Sequence, residues 1–191
     1  DVLRLDTRAV LCYPEVGYID LDGHELEEPY PCRLDTRGLG VSARANLVLW
    51  GLGSCELIYG LCRTNALRAT RLFRNVICPD NLIIFELSLA GAIAFVSDRL
   101  FWMRTPSLEK RHLGDSIHRY RDILYPPERR RFRLWMTNWR LAFEHLAAVG
   151  RATIPFRRKI TIWMIVLFWI AFRRGKHMAH DILDAAGLAR P

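Results

Sequence analysis

The stretch RRKITIWMIVLFWIAFRRGK, residues 157–176, decides how the rest of the chain is read. Thirteen of its residues, 160–172, carry no charge and are clamped between Arg157, Arg158 and Lys159 on one side and Arg173 and Arg174 on the other. Thr161 is the one polar side chain among them, so a helix here has no polar face. A helix that is apolar all round must be surrounded by protein or by lipid.

Two further segments share this character. Residues 45–62 run from Arg44 to Arg63 interrupted only by Glu56, and residues 81–97 run from Asp80 to Asp98 interrupted only by Glu86. As helices they reach about 27 and about 25 Å, close to the roughly 30 Å of a bilayer's hydrocarbon core, while the thirteen residues from Ile160 reach about 20 Å. Enclosing three such helices is difficult in 191 residues. Trp163 and Trp169 beside the flanking cations match an interfacial aromatic and cationic belt. Gly51, Gly53 and Ser54 in one run, and Ala90, Gly91 and Ala94 in the other, suit close helix–helix contact. The sequence therefore predicts an all-α, membrane-associated helical protein with two to three apolar membrane helices, additional amphipathic helices and an extended N-terminal arm.

Charge divides the chain. The net charge is +8, yet residues 1–35 hold nine acids against three arginines, a balance of −6, which leaves +14 for the remainder. Only Lys110, Lys159 and Lys176 are lysines among 28 basic residues. Arginine binds phosphate bidentately and stacks on aromatics, so such a surface suits phosphates, lipid headgroups or ion pairs. Residues 1–40 read as an acidic extended arm, 41–176 as a helical membrane domain and 177–191 as a polar tail. Within the arm, YIDLDGHEL alternates around Asp22-Gly23 as a short hairpin does. RLDTR occurs at 4–8 and 33–37, two copies with no further period, which we read as chance,. RTNALRATRLFRN is a basic amphipathic piece. Pro106 and Pro126-Pro127 bracket a polar helix, PERRRFRLWMTNWRLAFEHLAAVG reads as an amphipathic helix ending at Gly150, and HMAHDILDAAGLARP as a short closing helix. The opening Asp1 points to a processed or truncated start.

Catalytic signatures do not emerge. Five cysteines (Cys12, Cys32, Cys55, Cys62 and Cys78) form no CxxC pair and are odd in number, which argues against a disulfide framework and a zinc site and for small buried thiols in a reducing compartment,. Asp20 and Asp22 lack the remaining ligands and spacing of a calcium loop. Gly51-Leu52-Gly53 follows an apolar run as a dinucleotide turn does, but Glu56 holds the third glycine position and would face a pyrophosphate. His177 and His180 share a helix face with no third ligand. No triad, phosphate loop or paired carboxylates appear, so the chain is expected to be a non-enzyme. Glu56 and Glu86 remain as possible intramembrane ionisable groups, either a proton path or residues paired with an arginine of this chain. ERRRFRLWMTNWR interleaves arginines with Phe132, Trp135 and Trp139, which suits RNA or a membrane surface; the neighbouring apolar runs favour the membrane and make nucleic acid a lesser reading.

Across residues 61–172 the order of features resembles the peroxin family that elongates peroxisomal membranes before division. ALRATRLFRN resembles that family's small-residue and arginine stretch, and AIAFVSDRLFWMR its acidic, apolar and Trp segment through Asp98, Leu100 and Trp102. RLWMTNWRLAF and the late apolar helix fall where the family has comparable elements. The family opens with basic amphipathic helices, whereas residues 1–40 here are acidic. The resemblance implies a membrane-remodelling role at the peroxisomal membrane. A fainter likeness to a small proton-channel subunit of a respiratory complex would make Glu56 and Glu86 its membrane glutamates. The leading expectation is a non-catalytic accessory subunit of a mitochondrial inner-membrane complex, respiratory chain or ATP synthase. It would pack helices against larger subunits and bind anionic lipid such as cardiolipin through Arg157, Arg158, Lys159, Arg173 and Arg174. No other cofactor is expected. A peroxin-like remodeller and an organellar RNA- or ribosome-binding protein are the alternatives.

Overall fold

A computed structural model describes residues 2–27, 32–53, 55–105 and 136–185. In chain order it holds α1 (Val2–Leu5), β1 (Ala9–Ile19), β2 (Glu25–Leu26), α2 (Val41–Gly51), a 3-10 turn (Glu56–Tyr59), β3 (Leu61–Cys62) and α3 (Thr64–Ala69). There follow α4 (Pro79–Ala90), β4 (Ala92–Arg104), α5 (Thr137–Arg151), α6 (Phe156–Trp169), a π turn (Ile170–Arg174) and α7 (Gly175–Ala185). The fold is mixed α/β around a four-stranded sheet, which corrects the all-α expectation. Among the described residues no helix is long and apolar enough to cross a membrane.

Each of the two longer apolar runs breaks at glycine. The first leaves its helix at Gly51, passes Leu52 in extended conformation and then forms the 3-10 turn and β3. The second is α4 as far as Ala90 and strand from Ala92. Gly91 lies at the switch because β1 comes too close for a side chain: an added Cβ would stand 2.3 Å from Val10 Cγ1 and 2.7 Å from the Arg8 carbonyl oxygen. Beyond it, Ile93, Phe95 and Val96 are the β-branched and aromatic residues that pack well on a pleated surface,. Uniform apolarity had concealed a change of backbone.

The acidic arm is likewise built into the sheet. β1 is its central strand, parallel to β4 along most of its length and antiparallel on the other edge to β3 near Leu11 and Cys12 and to β2 near Tyr18 and Ile19. Pro14, which cannot donate to a ladder, sits between those two short pairings, next to a register shift against β4,. The Asp22-Gly23 hairpin forms as expected, with Gly23 at φ +94° and Tyr18 opposite Leu26. Tyr13 fastens the segment after the hairpin: its hydroxyl accepts the Leu34 N–H at 2.6 Å and donates to the Leu34 carbonyl at 3.1 Å. Thr36 then caps the start of β4, its Oγ1 accepting the Ile93 N–H at 2.8 Å.

One apolar core joins β1, β4, α2, α4, α5 and α6, with Leu11, Tyr13, Val48, Ile84, Phe85, Ile93, Val149, Ile162 and Val166 at its centre. α5 forms over Thr137–Arg151, and α7 realises the closing helix. Asp181 of α7 accepts the Asn138 backbone N–H at 2.8 Å and its Nδ2 at 3.1 Å, setting a carboxylate at the α5 N-terminus where the helix dipole favours it,. The polar helix expected between Pro106 and Pro126 and the start of the Arg-aromatic stretch lie outside the described residues.

Gly91→Ala is expected to destabilise the protein by about 1–3 kcal/mol, because Arg8 backbone and Val10 must move to admit the methyl group. Gly53→Ala, which meets nothing within 4 Å, is the control. Denaturant midpoints of the two variants check this, and equal midpoints would remove the steric role of Gly91.

Candidate functional site

α6 answers the question its own sequence poses by dividing its two apolar faces. Ile162, Val166 and Trp169 turn inward and are buried against α2 and α5. Phe156, Ile160, Met164, Leu167, Phe168 and Phe172 turn outward, with Phe156 67% and Phe172 71% exposed. Their spacing of three and four residues makes one continuous stripe. A contiguous exposed apolar patch on a folded chain marks a surface that meets another phase or molecule.

Cations frame the stripe. Residues 152–180 hold Arg157, Arg158, Lys159, Arg173, Arg174 and Lys176 and no acid at all. Among the described residues none of the six has a carboxylate within ion-pairing distance. Their geometry differs from a simple double collar. Arg157, Arg158 and Arg173 are exposed, but the Lys159 ammonium donates to the Gly150 carbonyl at 2.6 Å, closing the C-terminal end of α5. The Arg174 guanidinium lies over the Trp169 ring, 5.4 Å from its centroid. The two tryptophans expected in a lipid interface face protein instead: Trp163 Nε1 donates to the Leu146 carbonyl at 2.9 Å, and Trp169 is buried.

Beside Trp169 opens a cavity of about 240 Å³, lined by Val48, Leu49 and Leu52 from α2 and its end, Asn81 and Phe85 from α4, His145 from α5, and Trp169, Arg173, Arg174 and His177. Its lining joins apolar side chains of α2 and α4 to the two guanidiniums of the π turn and the His177 imidazole of α7. His145 is 1% exposed and wedged between Phe85 and Trp169, with ring centroids 5.0 and 5.1 Å away. Burial pushes its imidazole down to about 4, against the Leu141 carbonyl that Nδ1 meets at 2.8 Å. The ring is therefore neutral near pH 7. Sequence reasoning saw His177 only as a metal candidate and assigned His145 and Asn81 no role, because the cavity exists only where six elements converge.

Glu86 and Glu56, the two acids singled out in the apolar runs, are buried within the protein. Glu86 accepts from Arg151 Nη2 at 2.8 Å and from the Arg71 backbone N–H at 3.0 Å. Nearby Glu144 meets Arg74 at 3.1 Å, Arg71 at 3.6 Å and Arg151 at 3.9 Å. The two carboxylates and three guanidiniums tie the link before α4 to α5. Glu144 and Arg151, seven residues and so two turns apart, were the readable sign of this cluster. Glu56 opens the 3-10 turn packed on β1 and α4.

Other chemistry is quiet. All five cysteines are free and partly buried, and burial raises the thiols of Cys12, Cys55, Cys62 and Cys78, so these four are not activated nucleophiles,. Asp20, Asp22 and His24 gather within 4.8 Å. That proximity belongs to the hairpin turn, since Asp20 already accepts the N–H groups of Asp22 and His24. Trp139 of the Arg-aromatic stretch donates its Nε1 to the Met178 carbonyl at 3.1 Å, which ties its indole to α7 rather than freeing it to stack on a base.

Glu86→Gln should lower stability by about 1.5–3 kcal/mol, the range for a hydrogen bond to a charged group, as read by denaturant unfolding. His145 gives a pH signature. Its folded value lies below the ordinary 6.5, so the unfolded chain binds the extra proton and stability is lost as pH falls from 6.5 toward about 4,. The loss attributable to this group is about 3 kcal/mol across that window. His145→Phe should flatten the same part of the profile; an unchanged slope would refute a buried neutral imidazole.

No protein-family model matches this chain, and neither a curated protein nor a solved structure matches it.

Proposed function

We propose that this chain is a non-catalytic membrane-surface protein whose α6 lies in the plane of an anionic bilayer. The uncovered stripe from Phe156 to Phe172, framed by cations and free of acids, carries this reading. An interfacial helix sinks its apolar face about 5–10 Å into the headgroup and acyl boundary, while its cations meet anionic lipid. α6 is 14 residues, about 21 Å long, too short to span and well suited to lying flat,. Arg157 and Arg158 at one end and Arg173 at the other are exposed and available to phosphate. We propose a mitochondrial inner membrane rich in cardiolipin as the surface, with the chain an accessory component of a complex there. The organisation of the fold around its core gives α6 a rigid inner face, which favours docking over deep insertion.

Sedimentation with vesicles tests the proposal. Cardiolipin-containing vesicles should bind the chain and pure phosphatidylcholine vesicles should not, with binding weakened by salt. At about 1 kcal/mol per cation near the surface, Gln at Arg157 and Arg158 together should weaken binding about 30-fold. Phe168→Ser with Phe172→Ser should weaken it independently of salt. Indifference to both vesicle types, with co-purification on a membrane complex in detergent, would transfer the stripe to a protein interface.

A further inference from the structure

We infer that the cavity at the end of α6 binds the phosphate headgroup of a single anionic amphiphile, Arg173, Arg174 and His177 taking the phosphate. The inference rests on the membrane-surface reading and gives it a specific ligand pocket in place of a diffuse charge.

Three observations converge. The π turn Ile170–Arg174 interrupts the regular helix where the cations leave the stripe, and Arg173, Arg174 and His177 all reach the cavity lining. Such single π turns inside helices are frequent at functional sites. Second, Arg174 is held in place: its guanidinium rests over Trp169, which meets neutral His145 at a tilt, and His145 in turn meets Phe85. A guanidinium held over an aromatic ring by cation–π attraction is pre-positioned, so it loses less freedom when it meets phosphate. Third, the lining divides by polarity. Val48, Leu49, Leu52 and Phe85 offer nothing to a free phosphate ion, but they accept the first carbons of a ligand attached to one. Asn81 supplies an amide at the same wall, and its neighbour Asp80 is not among the lining residues.

Size sets the mode. At about 240 Å³ the cavity lies below the roughly 300–1,000 Å³ of sites that enclose a whole drug-sized molecule,. It has room for a headgroup and a short stub and not for acyl chains. Phe172, one residue before Arg173 and exposed, continues the apolar path outward along the stripe. A lipid held here keeps its chains in the bilayer while its phosphate sits in the protein.

The test titrates the full chain with three soluble probes: monomeric dihexanoyl phosphatidate, dihexanoyl phosphatidylcholine and inorganic phosphate. Saturable one-to-one binding of the phosphatidate is expected, with the other two at least about tenfold weaker. Arg173→Gln, at an exposed position that leaves the core intact, should weaken phosphatidate binding about tenfold or more, and Arg174→Lys should weaken it by removing the planar bidentate donor fork. The Arg157 and Arg158 double Gln variant should keep monomer affinity while weakening vesicle binding. Absence of saturable phosphatidate binding by a chain that still binds anionic vesicles overturns the pocket and leaves the surface reading standing. Inorganic phosphate binding as tightly as phosphatidate overturns the amphiphile assignment in favour of a free anion. Monomer binding unaffected by Arg173→Gln overturns the residue assignment.

Discussion

A helix without a polar face cannot be left in water, and α4 meets that constraint inside the protein. Leu82, Ile83, Ile84, Phe85, Glu86, Leu87, Ser88 and Leu89 are buried in unbroken succession, so every side of the helix needs a cover. The sheet of β1 and β4, the 3-10 turn, α2, α3 and α5 supply it. The switch at Gly91 makes this possible, because it folds the remainder of the same apolar run back beside β1 as a strand. Glu86, the one acid in the run, is tolerated because Arg151 and the Arg71 N–H complete it. An acid removed from water without such partners would be far more expensive.

What could be read in advance follows from how local each determinant is. The hairpin at Asp22-Gly23 was legible because Asp20, Gly23 and the alternation around them act within a few residues. The closing helix and the C-terminal part of the amphipathic one were legible for the same reason. The two RLDTR copies behave alike locally: Asp6 Oδ1 accepts the Arg8 N–H and Asp35 Oδ1 the Arg37 N–H, each at 2.9 Å. The repeat is one of turn chemistry and does not extend to architecture. By contrast, residues 89–96 carry no polar residue where helix gives way to strand, and the steric demand at Gly91 comes from Arg8 and Val10, more than eighty positions earlier. The site divides in the same way. Arg157, Arg158 and Arg173 were legible as exposed cations beside a greasy run, whereas the diversion of Lys159 to Gly150 and the aromatic column under Arg174 depend on α5, which no local pattern announces.

α4 and α6 show two ends of one physical choice. Both are apolar nearly all round, yet among the described residues only α4 is enclosed on every side, from Leu82 to Leu89. α4 takes the sheet and the helices; α6 shares its inner face with α2 and α5 and keeps the outer one uncovered. The distribution of acids matches that division. The helix enclosed by protein contains a paired glutamate, while the half-open one contains none and neither do its flanks.

Charge pairing then gives the molecule a direction. Three acids of the N-terminal region are paired nearby: Glu15 meets Arg33 at 2.7 Å and Arg99 at 4.0 Å, Glu25 meets Arg99, and Asp35 meets Arg37. These pairings draw on arginines far from α6 and leave the cations of residues 152–180 uncompensated. The consequence is a separation of labour between two forces of different range. In the proposed docking, electrostatic attraction acts over a Debye length, about 10 Å at 0.1 M salt, and would orient the basic end toward an anionic surface before contact. The stripe acts only on contact and is insensitive to screening, so the first force selects the face and the second sets how long it stays.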